Sequence, residues 1–239
     1  MDRKSELAGN LERVEEEIAA ALKLAGRSRS EVTLIVVTKN FPASDIELLY
    51  QLGVRDFGEN RDQEAREKIP QVNRAIGNEV RWHFQGQLQR NKLASIGSWA
   101  DMVHSIDDVK HLKGLSDAAL KTERKIQALI QISLDELPNP GRAGTDRAGA
   151  AEILSTHESQ KSALAGLSIV GVMAVAPLNS PAKSAFIRLN KVFTELRGDF
   201  PHLRVISAGM SGDFTQALLT GATHLRIGSS ILGSREAGR

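Results

Sequence analysis

Cysteine is missing from all 239 residues, which excludes disulfides, thiol nucleophiles and thiolate metal sites. Aromatic residues make up only 4%, so the stacking surfaces of a single-strand nucleic-acid binder are lacking. Neither sign of charge dominates: 31 Lys plus Arg stand against 29 Asp plus Glu, a formal net charge of +2. With the two signs interspersed, the chain carries no electrostatic footprint for a nucleic acid. No apolar run is long enough to span a bilayer. The opening segment, MDRKSELAGNLERVEEEIAAAL, is too charged for a secretory leader. The histidines show no metal-ligand spacing, and no Walker loop with its lysine is present. These absences leave a cytoplasmic protein without metal, membrane or nucleic-acid partners as the expectation.

What is there is alternation. Leu7, Leu11, Val14, Ile18, Ala21, Leu22 and Ala25 recur at helical spacing before Gly26, which predicts a long amphipathic first helix over residues 1–26. Short apolar runs then follow at 32–38, 54–58, 80–85, 102–106, 125–134, 167–175, 203–209 and 224–228, separated by amphipathic stretches. Pro42, Pro181 and the Ser44–Glu47 spacing mark helix starts. Roughly eight strand–helix units imply a parallel sheet. Eight such units in a chain of this length suit a closed (β/α)8 barrel; an open doubly wound sheet is the rival, because periodicity does not reveal closure. The Pro/Gly-rich segment 135–150 reads as the loop after strand five. With no linker or repeat, one domain over 1–239 is expected.

The unusual polar residues fall at the C-terminal ends of the predicted strands, the rim that carries function in such barrels. Lys39 ends strand one, GEN (58–60) strand two, HFQG (83–86) strand three, SAGMSGD (207–213) strand seven and RIGSS (226–230) strand eight. The last two offer glycines, Ser211, Ser229 and Ser230 at helix starts, where N–H groups and the helix dipole favour a phosphate. The same residues also suit ordinary turns and caps. Arg226 falls beside that cradle, or pairs with Glu59. A lysine desolvated among aliphatics near Arg226 would be biased towards the neutral amine, a nucleophile towards aldehydes. The pattern therefore admits a phosphorylated aldehyde: pyridoxal phosphate, or a sugar phosphate in a Schiff-base aldolase. A lysine whose head merely reaches solvent remains the plain alternative. His83 reads as a hydrogen-bonded core or rim histidine, and Met173 as packing.

Six stretches together, VTKN (37–40), FGENRDQEAREK (57–68), WHFQGQLQRNK (82–92), GVMAVAP (171–177), SAGMSGDFTQAL (207–218) and RIGSSILGSR (226–235), resemble the YggS/PROSC family of pyridoxal phosphate homeostasis proteins. The resemblance spans essentially the whole chain. It implies an α/β fold: a single (β/α)8 TIM barrel of the alanine racemase N-terminal type (fold type III), with the extra N-terminal helix packed on it. Transferred by position, it implies a Schiff-base lysine at Lys39, Asn60 near the cofactor ring, and Met210 and Ser211 at the phosphate. It also implies Arg226 facing the pyridine nitrogen, and Gly228 and Ser229 again at the phosphate. Gln85 and Ala208 depart from the family pattern, which has an aliphatic residue and a methionine there.

The same resemblance implies pyridoxal 5'-phosphate as cofactor, a role in intracellular cofactor and amino-acid homeostasis, apo-enzymes as recipients, and a monomer or weak dimer. It implies no classical catalysis and so no catalytic residue. A permanent cation at the ring nitrogen makes the ring a weaker electron sink. Racemases of this fold use a tyrosine from a second domain, and a phosphate-binding tyrosine four residues after the lysine; that position is Ala43 here, and the chain's single tyrosine is Tyr50. A weak racemase-like enzyme acting on amino acids is the alternative.

Overall fold

A computed structural model of the chain describes residues 2–135, 142–178 and 180–233. Eight parallel strands close into a barrel in sequential order: β1 (Thr33–Val37), β2 (Asp56–Glu59), β3 (Arg81–Phe84), β4 (Met102–Ile106), β5 (Ile126–Gln131), β6 (Leu167–Met173), β7 (Val205–Ser207) and β8 (His224–Ile227). The first and last strands pair in register, from Thr33 opposite His224 to Val36 opposite Ile227. Closure disposes of the open-sheet rival. The apolar run Leu34–Val37 lies in β1 and is buried throughout, as expected where a sheet is covered on both faces.

Helix α1 (Arg3–Ala25) precedes the barrel. Asp2 caps it by accepting from the Ser5 N–H at 2.8 Å, and Gly26, at φ 65°, closes it with N–H bonds to Leu22 and Lys23, a left-handed turn suited to glycine. The outer ring comprises α2 (Ala43–Gln51), α3 (Asp62–Ile76), α4 (Leu93–Trp99), α5 (Leu112–Lys121), α6 (Arg147–Ser159), α7 (Ala182–Asp199), α8 (Phe214–Leu219) and α9 (Ser229–Leu232). Pro42 and Pro181 immediately precede α2 and α7 as predicted, but the Ser44–Glu47 capping box is not made: Pro42 occupies the cap position without a side-chain bond. The expected loop over 135–150 gives way to α6 at Arg147, and residues 136–141 lie outside the described part.

The stripe Leu7, Val14, Ile18 and Leu22 is buried. Its packing carries α1 across the outer ring, where Arg3 Nη2 donates to the Leu232 carbonyl at 3.0 Å and Asn10 Nδ2 to the Ile231 carbonyl at 2.8 Å. Those carbonyls end α9, the short helix that begins at Ser229, so α1 fixes an element of the barrel mouth. Inside the barrel, Met102, Leu129, Val170, Met173 and Val205 form a separate apolar cluster, while Asp56, His83, His104, Ser207 and Arg226 are buried polar residues.

Ile18→Ala removes a fully buried side chain from the α1 seam. We expect it to lower the unfolding free energy by about 2–5 kcal/mol, read from guanidinium midpoints at unchanged slope.

Candidate functional site

A cavity of about 610 Å³ opens at the C-terminal end of the strands. It is lined by Lys39 and Phe41 after β1, Asn60 after β2, Gln85 after β3, Met210, Ser211 and Gly212 after β7, and Arg226 and Gly228 to Ser229 at the end of β8. All seven residues singled out from the sequence, Lys39, Asn60, Met210, Ser211, Arg226, Gly228 and Ser229, meet at this one mouth. Its volume suits a small organic ligand.

The strand-one loop is held from below. Thr38, buried at the end of β1, donates from Oγ1 to Glu59 Oε1 at 2.8 Å. Lys68 on α3 donates from Nζ to the Thr38 carbonyl at 2.9 Å, to Glu59 Oε1 at 2.7 Å and to Glu64 Oε1 at 2.8 Å. Glu64 in turn accepts from the Asn40 N–H, and Asn40 adopts the left-handed conformation at φ 61°, which Asn tolerates better than most residues. Both peptide neighbours of Lys39 are thus tied to one buried ion cluster. Burial pushes the Glu59 carboxyl up, opposed by Lys68 and Thr38.

Lys39 itself is exposed, so the expected desolvation is not met: β1 ends at Val37, and the following loop lifts the side chain clear of the aliphatic run. Arg226 does not pair with Glu59, whose partners are Lys68 and Thr38. It is buried, donating from Nη1 to Ser207 Oγ at 2.7 Å and from Nη2 to the Ala174 carbonyl at 2.9 Å. Burial lowers its pKa to about 10, with Asp213 acting the other way, which leaves a cation at neutral pH.

Two turns meet beside Arg226. Gly209 sits at φ 93°, and a Cβ there would stand 2.8 Å from both Ala217 Cβ and Phe214 Cα, so glycine is required. The Gly209 carbonyl accepts from the Arg226 N–H at 2.9 Å, Asp213 Oδ1 from the Met210 N–H at 2.6 Å, and Ser211 Oγ from the Ser230 N–H at 3.2 Å. The helices that follow are only six and four residues long. The predicted dipole contribution is therefore small, because few peptides are aligned; what the corner offers is N–H groups and hydroxyls.

Two enclosed polar atoms at the mouth have no hydrogen-bond partner, Asn60 Oδ1 and Gln85 Nε2. Gln85, noted in the sequence only as a departure, lies over Gly58, where any Cβ would collide with its amide. Below the mouth runs a buried column of which sequence reasoning had singled out only His83 and Arg226: Asp56 Oδ1, His83, His104, Ser207 Oγ and Arg226 in unbroken hydrogen-bond contact. Its one legible signal is the inward alternation of polar residues on strands otherwise apolar. Desolvation holds His104 well below the usual imidazole range, with His83, Arg226 and His224 adding to it. His224 is lowered to about 4, again chiefly by burial. Among the described residues no group of His, Asp and Glu could hold a metal ion, and no helix is long and apolar enough to cross a membrane.

A closed parallel barrel with a rim lysine beside a corner of glycine turns and hydroxyls defines the class. Residues 10–236 match the family model for the alanine racemase N-terminal domain. The chain is 36% identical over 247 residues to the pyridoxal phosphate homeostasis protein of Mycobacterium tuberculosis, covering 98% of this chain and 95% of that one. The structure of PipY from Synechococcus elongatus with pyridoxal phosphate bound superposes with a TM-score of 0.75 at 33% identity, over 90% of this chain and all of that one. Alanine racemase from Clostridium difficile shares the fold at 12% identity, with a TM-score of 0.72 over 98% of this chain and 58% of that one. The chain belongs to the family of pyridoxal phosphate homeostasis proteins.

Two outcomes follow from the buried groups. Lys68→Met strands the Glu59 carboxylate and should cost about 3–5 kcal/mol of stability, much of it recovered when Glu59→Leu is added; urea unfolding of the single and double variants checks this. His104 and His224 are held neutral in the fold, whereas the unfolded chain takes up their protons near pH ~6.5. Their contribution to stability is therefore complete above that pH and declines below it, for His224 down to about pH 4. Urea midpoints measured across this window should fall with pH, and less steeply in His224→Gln.

Proposed function

We propose that the chain binds pyridoxal 5'-phosphate as a Schiff base on Lys39 and serves intracellular cofactor and amino-acid homeostasis without classical catalysis. The supporting observation is the convergence of Lys39, Arg226, Ser211 and Ser229 on one cavity. An amine, a buried cation and two hydroxyl-bearing turns match an aldehyde, a ring nitrogen and a phosphate. The fit extends to the unpartnered Asn60 Oδ1 and Gln85 Nε2, polar atoms that a ligand with oxygen and nitrogen functions would satisfy.

Pyridoxal phosphate, when bound, supplies an aldehyde carbon and an electron-withdrawing ring. The protein's residues do the rest. Lys39 would hold that aldehyde carbon through its amine, with water as the leaving group. Ser211, Ser229 and the N–H groups around Gly212 and Gly228 hold the phosphate. Arg226, which only donates hydrogen bonds, keeps the ring nitrogen unprotonated and so restrains carbanion chemistry. Asn60 orients the ring, and Met210 borders the phosphate turn. Residues 1–239 act as one domain, as a monomer or weak dimer, and pass the cofactor to apo-enzymes. The racemase alternative lacks support at the mouth: Tyr50 lies on α2, where its hydroxyl bonds Glu79 and its ring packs against Arg55.

The purified protein should be yellow, and borohydride should bleach it and fix a pyridoxyl group on Lys39. Lys39→Ala should be colourless. A pyridoxyl group on another side chain, or on none, overturns the assignment; a sugar phosphate fixed instead favours the aldolase. Ser211→Ala combined with Ser229→Ala should weaken cofactor retention at least about 10–100-fold, the value of one hydrogen bond to a charged group. Unchanged retention rejects the phosphate assignment. Failure to exchange the α-hydrogen of amino acids in deuterated water separates this role from the racemase alternative.

A further inference from the structure

The column under the mouth has a defined proton order. Arg226 can only donate, so Ser207 Oγ accepts from Nη1 at 2.7 Å. The Ser207 proton is then free for His104 Nδ1, 3.0 Å away. A neutral His104 carries its single proton on Nε2 and gives it to His83 Nδ1 at 3.0 Å. His83 in turn donates from Nε2 to Asp56 Oδ1 at 2.9 Å. With both imidazoles neutral, all four bonds are satisfied and every proton points from Arg226 towards Asp56. The chain links strands β8, β7, β4, β3 and β2, crossing the lumen between Ser207 and His104.

The two ends open into different spaces. Arg226 borders the mouth, whereas Asp56 borders a second cavity, of about 420 Å³, at the opposite end of the barrel, lined also by Arg29, Arg55 and Arg81. Asp56 Oδ2 accepts from the exposed Arg81 at 2.8 Å. Burial alone would raise the Asp56 carboxyl, but His83 and Arg81 together bring it below its ordinary value.

We propose that His83, His104 and Ser207 are positioning residues for Arg226, and that they transmit the protonation of the Asp56–His83 pair to the ligand held at the mouth. The second state follows from the same geometry. When one proton is taken up from solvent, His83 bears hydrogen on both nitrogens and its Nδ1 becomes a donor. His104 Nε2 must then accept, so its proton resides on Nδ1 and is directed at Ser207. Ser207 Oγ now accepts from both His104 and Arg226, and its own hydrogen loses its acceptor. One added proton thus reverses two bonds and alters the contact that fixes the guanidinium, while the Ala174 carbonyl still holds the other nitrogen. The charged and titratable groups around His83 are Asp56 on β2, Arg81 on β3, His104 on β4 and His224 on β8, with Arg226 reached only through His104 and Ser207. Asp56 favours the added proton; the cations oppose it.

The inference rests on the pyridoxal phosphate reading, and two measurements separate the failure of one from that of the other. In cofactor-free protein, 15N spectra of the imidazoles should show His83 and His104 each protonated on Nε2 at high pH. On acidification His83 should gain a second proton as His104 moves its own to Nδ1, and Ser207→Ala, which cuts only the link from His104 to Arg226, should leave that paired shift in place. In the holoprotein, the visible absorbance of the bound cofactor should follow the same transition as the pH falls. Ser207→Ala, a small change that leaves the Ala174 contact in place, should abolish the absorbance transition while His83 still titrates. Asp56→Asn should move it to lower pH, because the anion that favours the charged imidazole is gone. An absorbance transition unchanged in Ser207→Ala overturns the proposal, as does a His104 that keeps its proton on one nitrogen throughout. Neither result bears on whether borohydride fixes pyridoxal phosphate to Lys39.

Discussion

A single buried ammonium, that of Lys68, holds the start of the functional mouth in shape. Its three acceptors come from three places: the end of β1, the end of β2 and the first turns of α3. An ammonium so enclosed is stable only with such partners, and meeting that requirement brings the loop after Thr38 into a fixed position against Glu59 and Glu64. The left-handed turn at Asn40 follows from the same cluster, because Glu64 takes the Asn40 N–H. The reactive candidate, Lys39, sits between two tethered neighbours on a rigid base while its own side chain reaches out. Anchoring the backbone on both sides of an exposed residue suits one that must meet an incoming ligand.

The lumen divides into two chemically different halves. One is an ordinary aliphatic and methionine packing between β4, β5, β6 and β7; the other is a string of ionisable and hydroxyl groups. Such a string is costly to bury unless each member is satisfied, and here each link has a partner at 2.7–3.0 Å. Satisfaction gives the string its direction: a cation that only donates stands at one end and a carboxylate that only accepts at the other. The neutrality of His104 is a result of this placement, since its neighbours include three basic side chains and almost no solvent.

Much of this is legible in the sequence. The eight apolar runs became the eight strands, and the residues of the rim lie together because a parallel barrel puts every strand's C-terminal end on one face. What was not legible came from contacts across the lumen or between layers. Nothing in the spacing of His104 and Ser207, 103 residues apart, announces a bond between them. Glu59, Glu64 and Lys68 stood inside a recognised motif, with Glu64 and Lys68 at the i,i+4 spacing of a common surface pair. Only packing shows that the pair faces inward. The desolvation expected of Lys39 failed for a related reason. A strand's apolar run predicts burial up to its last paired residue, and the chain leaves the sheet at Val37. The Ser44–Glu47 box failed because Pro42 already occupied the cap.

The pairing of β1 with β8 has a consequence for assembly. The amine at position 39 is made among the first strands, while Ser211, Arg226 and Ser229 come from the last. A nascent chain still missing its final segment therefore carries the lysine without the corner that faces it. Contacts of such long sequence separation form late. The complete mouth, and any grip it has on a reactive aldehyde, arises only on closure of the ring, so an immature barrel cannot sequester cofactor.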